Sequence, residues 1–255
     1  MFAPERQRAI ETIVRQKGRL TVSELARQLG ASGITIRRDL RVLEAAGKVV
    51  RAHGGVLHPE FLETEPGFER KAVDAVEAKV ALAKAVVAEI PDRGQVYLDS
   101  GTTCLEVARL LLDRRDLTIV TNSIPLLQLG TQSKARVIGV GGEVRAVSLA
   151  LVGGLALEWL RGLRFDVAVL AASGLDAAEG ASTTELSEAA VKQMAAERAT
   201  KRLLVSHAAK WNKPAAVAFA GWDRFHVFVT DARLSAPEKA QLRRAGVRLQ
   251  VIAAP

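Results

Sequence analysis

The sequence predicts a two-domain α/β chain, in which three short helices and a β-ribbon precede a larger domain of alternating strands and helices. Two observations support this prediction. Apolar residues recur at helical spacing up to residue 47, whereas beyond residue 74 they form short continuous runs. Between these segments, residues 58–73 combine proline, glycine and charge without a steady period, which is typical of a linker. We therefore assign residues 1–57 to the first domain and residues 74–255 to the second.

Positive charge is concentrated in the first quarter of the chain. Residues 1–58 hold 11 Lys and Arg against 5 Asp and Glu, a net charge of +6, and the remainder holds 25 against 23, a net charge of +2. Such an excess is typical of a module that lies against phosphates. Taken alone, the charge is equally well explained by a solvated basic face.

The cysteine content and the absence of targeting patterns indicate the cellular compartment in which the protein is expected to work. Cys104 is the single cysteine, which excludes an intramolecular disulfide and a thiolate zinc cluster. The histidines lack metal-ligand spacing, so we expect no metal. The sequence has neither a signal-peptide pattern nor an apolar run long enough to span a membrane, and we expect a cytoplasmic protein without membrane contact.

Three helices are predicted at the N-terminus. The first covers residues 4–17. The second opens at a threonine-to-glutamate capping box at 21–24 and ends at Gly30. The third has Ser32 as its N-cap and stops at Gly47. The second and third helices are short and are joined by a tight turn at residues 30–32. This arrangement is typical of a helix-turn-helix, whose second helix enters the major groove of DNA.

The third helix and the ribbon after it carry the predicted DNA-contacting side chains. Arginine can fork onto a guanine edge or a phosphate, and hydroxyls at a helix start bind phosphate oxygens. The ribbon, residues 48–56, has β-type residues on both sides of a glycine turn and is predicted to be a wing. The predicted DNA-binding residues are Ser32, Thr35, Arg37, Arg38, Arg41, Arg51 and His53.

An acidic residue interrupts the basic face of the third helix. Asp39 lies between Arg38 and Arg41, and we expect it to tether an arginine of the same helix. The competing interpretation is an exposed helix face whose arginines pair with Asp39 and Glu44. Three short helices, a wing and clustered arginines together favour DNA binding.

The second domain is predicted to be an open, mainly parallel α/β sheet. Its apolar runs are continuous rather than alternating, as expected of strands covered on both faces. Amphipathic helices lie between most of them, including 182–201 and 235–245, each opened by a Ser-x-x-Glu capping box. The predicted strands are 96–98, 117–120, 137–140, 167–170, 203–205, 227–229 and 249–252.

Polar and glycine residues follow several of these strands, where a ligand binds in such a sheet. Residues 99–103 combine a glycine, three hydroxyls and a helix start, which suits an anion such as phosphate. Structural requirements alone would also explain that loop, and Lys210 alone would pass for a surface lysine. The predicted effector-binding residues are Asp99, Ser100, Gly101, Thr102, Thr103, Asn122, Gly141, Gly142 and Lys210.

The first domain resembles the DeoR-type transcription regulators. The resemblance is carried by Thr-Ile-Arg-Arg-Asp-Leu at 35–40, Leu-Glu at 43–44 and Arg-Ala-His-Gly-Gly at 51–55. Few other winged-helix proteins combine this helix with this wing. Ala31 departs from the family, in which valine is usual, and we expect slightly looser helix packing there.

The second domain resembles the sensor domain of the same family. The matching segments are 97–103, 117–123, 141–142, 165–166, 173–176, 191–192 and 230–231, together with Gly153 and Lys210. The resemblance implies a fold similar to ribose-5-phosphate isomerase and the CoA transferases. It also implies repression of sugar-catabolic genes under control of a phosphorylated intermediate. His207 stands where the family commonly has Asp, so the pocket or its effector is expected to differ.

Two other function classes compete with a regulator. A sugar-phosphate isomerase or acyl transferase needs positioned carboxylates, but residues 171–174 after the fourth predicted strand provide none. Glu143, Glu179 and Glu185 remain as candidates without defined geometry. An architectural DNA-binding protein would not explain the second domain. We therefore expect a regulator without enzyme activity or cofactor.

The expected partners follow from this interpretation. They are a double-stranded DNA operator and a small phosphorylated metabolite. One recognition helix covers only a few base pairs, so at least a homodimer, and alternatively a homotetramer, is expected on repeated half-sites.

Overall fold

The computed structural model describes residues 2–17, 19–52, 55–57 and 65–253, apart from the side chains of residues 16, 17, 19, 51, 52 and 57. The chain divides into two compact units, residues 1–65 and 66–255. Residues 68–73, which the sequence placed in the linker, form a helix of the second unit. Within the described residues, no helix has both the length and the apolar character needed to cross a membrane.

The first unit is a winged helix-turn-helix. Its three strands form an antiparallel sheet in the order β1-β3-β2. The three predicted helices and the wing strands are confirmed. The elements are α1 (Ala3–Lys17), β1 (Arg19–Thr21), α2 (Val22–Leu29), α3 (Gly33–Ala45), β2 (Val50–Ala52) and β3 (Gly55–Leu57).

Capping interactions set the ends of the two short helices. Thr21 and Glu24 form both halves of the predicted capping box before α2. Gly30 ends α2 in the left-handed conformation, with φ 59° and ψ 35°, which a glycine adopts without steric cost. The Ser32 hydroxyl accepts a hydrogen bond from the Thr35 amide at 3.2 Å and starts α3. These caps give the turn that orients α3 against α2.

The second unit is an α/β domain with a large central sheet. Its main helices are α4 (Phe68–Val73), α5 (Val76–Val87), α6 (Thr102–Leu111), α7 (Ile124–Gly130), α8 (Gly154–Arg161), α9 (Leu186–Glu197) and α10 (Ala236–Arg244). Its strands are β4 (Gly94–Leu98), β5 (Leu117–Thr121), β6 (Arg136–Gly139), β7 (Glu143–Arg145), β8 (Ala150–Val152), β9 (Phe165–Ala171), β10 (Gly174–Asp176), β11 (Gly180–Thr183), β12 (Ala199–Ser206), β13 (Val217–Ala220), β14 (Val227–Thr230) and β15 (Arg248–Val251).

The central sheet has seven parallel strands in the order β15-β14-β12-β9-β4-β5-β6. These are the seven strands predicted from the apolar runs, and a separate hydrophobic cluster covers each face of the sheet. The chain passes from β4 through α6 to β5, but from β9 through α9 to β12 on the other side. The strand order therefore reverses between β4 and β9. In open parallel sheets, a ligand crevice forms outside the carboxyl ends of the strands at such a point.

Two small antiparallel sheets escaped the sequence prediction. One is the β7–β8 hairpin, and the other has the order β10-β11-β13. The helix expected at 182–201 is wrong at both ends. Ser182 lies in β11, where its hydroxyl donates to the Gly174 carbonyl at 2.9 Å, and Lys201 lies in β12, which begins at Ala199. The helix begins at Leu186, and Glu185 caps it by accepting from two backbone amides. The capping box predicted at Ser235 is confirmed.

Candidate DNA-reading surface and effector site

The described residues of α3 present a basic surface. Arg37, Arg38 and Arg41 have exposed side chains, while Ile36 and Leu40 on the opposite face are fully buried. The hydroxyls of Ser32 and Thr35 lie 2.9 Å apart at the start of the helix. Arg51 lies in β2, but its side chain is outside the description, as is the whole of His53.

Asp39 does not tether an arginine of its own helix, so that expectation was wrong. Its carboxylate is buried and accepts from Arg6 Nε at 2.6 Å and from Gln7 Nε2 at 3.1 Å, both on α1. The tether fails because Asp39 lies on the inward side of α3, facing α1. The acidic residue therefore fixes α3 to α1 and is not used to neutralise the exposed arginines.

Ile34 is a surface feature of α3 that sequence reasoning missed. Its side chain is 78 % exposed, in the first turn of the helix. An isoleucine so exposed loses the free energy that burial would supply, about 2 kcal/mol. The sequence contained a signal for this exposure, because Ile34 is apolar but does not fit the helical spacing of the buried residues of α3.

Asp99 follows β4 and is almost fully buried. Its Oδ1 accepts from the Ser100 amide at 2.9 Å, and its Oδ2 accepts from the Ala171 amide at 2.9 Å and from the ammonium of Lys192. These partners come from the loop itself, from β9 and from α9. The carboxylate thus fixes the β4–α6 loop (residues 99–101) beside β9 and is engaged within the protein.

Lys192 is the largest omission of the predicted site. It is 5 % exposed, donates to the Ala171 carbonyl at 3.2 Å and lies 5.6 Å from the Phe219 ring centre. Burial lowers the pKa of Lys192, but the carboxylates of Asp99 and Glu188 outweigh it, so the pKa is raised. A lysine within the alanine-rich face of a predicted helix was the available signal.

The β4–α6 loop leads into a helix start that no side chain caps. Gly101 precedes α6 and provides no side chain to cap its first amides. A Cβ atom at Gly101 would lie 2.6 Å from the Ala171 Cβ, so only glycine fits. Ser100 and Thr103 are nearly buried, and Thr102 is partly exposed. The structure therefore brings residues 99–103 together at the strand-order reversal.

Asn122 is placed at the end of β5 with its side chain occupied. Its Oδ1 accepts from the Tyr97 hydroxyl at 2.9 Å, and its Nδ2 donates to the Leu151 carbonyl at 3.2 Å. The side chain thereby holds β8 across the end of β5.

The two glycines after β6 allow neighbouring elements to approach closely. A Cβ atom at Gly142 would be 2.5 Å from the Val152 carbonyl oxygen, so this glycine allows the close approach of β8. Gly141 likewise leaves room for a neighbouring element, in this case for side chains of α8. Between the ends of β6 and β12 there are four strand spacings, about 19 Å.

Lys210 lies in a short 3-10 turn, residues 208–210, directly after β12. His207 begins this turn, and its Nδ1 accepts from the Ala209 amide at 3.3 Å. Burial lowers the pKa of His207, Asp231 opposes that shift and Lys210 adds to it. The imidazole therefore provides a neutral acceptor at the position where the family commonly has a carboxylate.

Ser206 was not among the predicted site residues. Its hydroxyl is buried, and it finds no hydrogen-bond partner in the part of the chain that the structure describes. Ser206 lies two residues after Leu204 and Asp99 two after Tyr97, and both apolar residues belong to one cluster. Because side chains alternate along a strand, Ser206 and Asp99 lie on the same face of the sheet.

A winged helix-turn-helix with exposed arginines on one unit and a parallel sheet with a strand-order reversal on the other are typical of a DNA-binding protein with a ligand-binding domain. The chain is a DNA-binding transcription regulator with a sensor domain. Comparison with known proteins identifies its family.

Residues 6–60 match the DeoR-like helix-turn-helix domain, and residues 74–232 match the DeoR C terminal sensor domain. The chain is 34 % identical to the HTH-type transcriptional regulator GlpR of Haloferax volcanii, over 97 % of each protein. It is 30 % identical to the glycerol-3-phosphate regulon repressor of Escherichia coli K12, over 91 % of this chain and 92 % of that one. Ribose 5-phosphate isomerase A from Neisseria gonorrhoeae superposes with a TM-score of 0.40 at 13 % identity, covering 55 % of each chain.

The chain belongs to the DeoR family of transcription regulators. Its function is regulation of transcription and not enzyme catalysis, and the isomerase alternative is not supported.

Proposed function

We propose that this regulator represses genes of carbohydrate breakdown and releases its operator when a phosphorylated polyol or sugar binds the second unit. The observation that carries the proposal is the β4–α6 loop at the strand-order reversal, with its glycine and uncapped helix start. The relative that is named a glycerol-3-phosphate regulon repressor supports this effector class.

In this proposal α3 reads a half-site in the major groove. Arg37, Arg38 and Arg41 contact base edges or phosphates, and Ser32 and Thr35 contact the backbone at the helix start. Arg51 and His53 on the wing contact the adjacent backbone. Ile34 is exposed beside these groups, where an apolar side chain would contact the methyl group of a thymine. Because one helix covers few base pairs, the protein acts as a homodimer or homotetramer.

The effector phosphate is proposed to bind at residues 100–103, where amides of α6 and the hydroxyls of the loop converge. Lys210 supplies a positive charge from the end of β12, two strands away from β4. The buried Ser206 hydroxyl offers a further hydrogen bond to a ligand hydroxyl. Asp99 and Asn122 hold the walls of the site, and Gly141 and Gly142 shape the hairpin at its margin.

Thermal denaturation with added ligands tests the effector site. Glycerol 3-phosphate, ribose 5-phosphate and inorganic phosphate are compared, because a ligand that binds only the folded state raises the melting temperature. We expect a phosphorylated polyol or sugar to stabilise the protein more than phosphate does and to weaken its DNA binding. Lys210→Ala should reduce the shift, and the exposed neighbour variant Lys213→Ala should not. Absence of any shift, or a full shift in Lys210→Ala, would contradict the respective assignment.

Selection of bound sequences from random duplexes tests the DNA assignment. We expect wild-type protein to enrich one repeated half-site and Ile34→Ala to lose preference at a thymine within it. Replacing that thymine by uracil, which removes only the methyl group, should reproduce the loss. Unchanged selection by Ile34→Ala would remove Ile34 from the reading surface and leave the arginines to be tested separately.

A further inference from the structure

Charged side chains on α9 lie directly behind the β4–α6 loop. Lys192 bonds Asp99, and Glu188 lies four residues earlier, one helical turn away on the same face of α9. Both Lys192 and Glu188 are buried. A change in the charge of Asp99 therefore alters the electrostatic environment of Lys192 and Glu188, two adjacent buried charges on α9.

Arg145 connects α9 to the β7–β8 hairpin. Its guanidinium donates to Glu188 Oε1 at 3.2 Å and to the Ser148 hydroxyl at 3.0 Å. The other carboxylate oxygen of Glu188 accepts from the Thr183 hydroxyl at 2.8 Å. The side chains of Arg145 and Glu188 are 17 % and 5 % exposed, so the ion pair is little screened by solvent. Arg145 thus fixes the turn of the hairpin relative to α9.

The turn of the hairpin is bonded to α4, the first helix of the second unit. The Phe68 amide donates to the Val147 carbonyl at 2.8 Å, and the Phe68 side chain is buried in the second unit. The ammonium of Lys79 donates to the carbonyls of Lys71 and Asp74 at the other end of α4. Helix α4 also packs on α6, which begins at the β4–α6 loop. Helix α4 therefore contacts both the β7–β8 hairpin, which Arg145 ties to α9, and α6, which begins at the β4–α6 loop.

We infer that Glu188 and Arg145 are positioning residues that transmit the state of the β4–α6 loop through the β7–β8 hairpin to α4. The inference rests on the proposed function, since it explains how occupancy of the loop reaches the chain that leads to α3. An anion at the loop alters the electrostatic balance between Asp99 and Lys192. Because Lys192 and Glu188 share α9, and Glu188 bonds Arg145 of the hairpin, a displacement of Lys192 is passed to the hairpin through the helix. A ligand can act in this way only if it prefers one of the two arrangements.

Hydrogen exchange of the ligand-free full chain tests the coupling. In Asp99→Asn, we expect exchange in peptides covering residues 66–73 and 143–148 to accelerate by at least about fivefold, with little change in α10. Arg145→Gln should accelerate the same peptides and serves as a second variant if Asp99→Asn does not fold. Leu242→Ala, a buried change in α10, controls for general loss of stability. Unchanged exchange at residues 66–73 in both variants, or the same pattern in Leu242→Ala, would overturn the inference.

A ligand experiment separates this inference from the proposed function. With glycerol 3-phosphate, Arg145→Gln should keep the thermal shift and the ligand-free DNA affinity of wild type but lose the ligand-induced release of DNA. Release identical to wild type would contradict the coupling. Failure of wild type to respond to any probe would instead contradict the proposed function, and the exchange experiment would still decide the coupling.

Discussion

Arg6 of α1 and Asp39 of α3 form a buried ion pair, with 2.6 Å between Arg6 Nε and Asp39 Oδ2. Their side chains are 13 % and 4 % exposed, and Gln7 bonds the other carboxylate oxygen. The pair holds the helix with the exposed arginines against the first helix of the chain. Orientation of the DNA-facing surface therefore depends on a contact that lies inside the first unit.

Removing Asp39 should unfold the first unit more easily than the second. Breaking a buried ion pair by deleting one partner costs about 3 kcal/mol, because the other charge loses the carboxylate that faced it. All three tryptophans, Trp159, Trp211 and Trp222, lie in the second unit. In Asp39→Ala, a helical circular dichroism transition in urea should shift to lower urea while the tryptophan fluorescence transition stays in place. Glu158→Ala, which removes an exposed pair with Arg161, should change neither.

Arg38 should contribute to DNA affinity and to its salt dependence. We expect Arg38→Ala to weaken specific binding by about 1 to 3 kcal/mol, and to reduce the slope of log affinity against log salt by about 1 if the contact is to a phosphate. Titrations by fluorescence anisotropy at several salt concentrations measure both quantities. Arg244→Ala removes an exposed positive charge from α10 and should leave both near wild type. An unchanged affinity in Arg38→Ala would remove this residue from the reading surface.

Asp99 and Lys192 should show strong thermodynamic coupling. Lys192→Met leaves the Asp99 carboxylate buried without a counter-charge, which we expect to lower the free energy of unfolding by about 3 to 5 kcal/mol. Adding Asp99→Asn removes that charge as well, so the double variant should be less destabilised than the sum of the single variants. Urea unfolding followed by tryptophan fluorescence measures the cycle. Additive effects would show that the pair contributes no specific interaction.

His207 should make the second unit less stable in mild acid. Burial lowers its pKa below the usual 6.5, and among its charged neighbours Lys210 and Lys79 lower it further while Asp231 and Asp74 oppose. The unfolded chain therefore binds a proton more readily, and this stabilisation is complete above pH 6.5 and is lost as the pH falls through the folded-state pKa. Protonation also removes the Nδ1 acceptor of the Ala209 amide.

The matched variant for this effect is His207→Asn, which keeps a capping acceptor but does not titrate. Between pH 7.5 and pH 5.5, the urea midpoint of wild type should fall further than that of His207→Asn. His226, whose pKa is also lowered by burial, is present in both proteins and cancels in the difference. Equal falls in the two proteins would show that His207 does not contribute.

The sequence was sufficient to predict elements that have local signals. The capping box at Thr21, the N-cap at Ser32 and the seven apolar strands all depend on residues close together in the chain. The helix start after residues 99–101 was predicted for the same reason, since a glycine and hydroxyls after a strand form a local pattern, and its role as an anion site stays a prediction.

Contacts between distant residues could not be predicted in this way. Lys192 and Asp99 are 93 positions apart, and Arg145 and Glu188 are 43 apart. Neither pair leaves a periodic signal. The β10-β11-β13 sheet was missed because its strands have three or four residues each, too few to show alternation. Ser182 was misplaced because Ser-x-x-Glu also occurs by chance where a strand leads into a helix.

In the proposed function, occupancy of the second unit controls sequence-specific DNA binding by the first. The most direct test measures the affinity of purified full-length protein for its selected duplex and for a random duplex, each with and without glycerol 3-phosphate and ribose 5-phosphate. We expect at least about a thousandfold preference for the selected duplex and a loss of that preference with one of the two ligands. Equal affinity for both duplexes under every condition would contradict it.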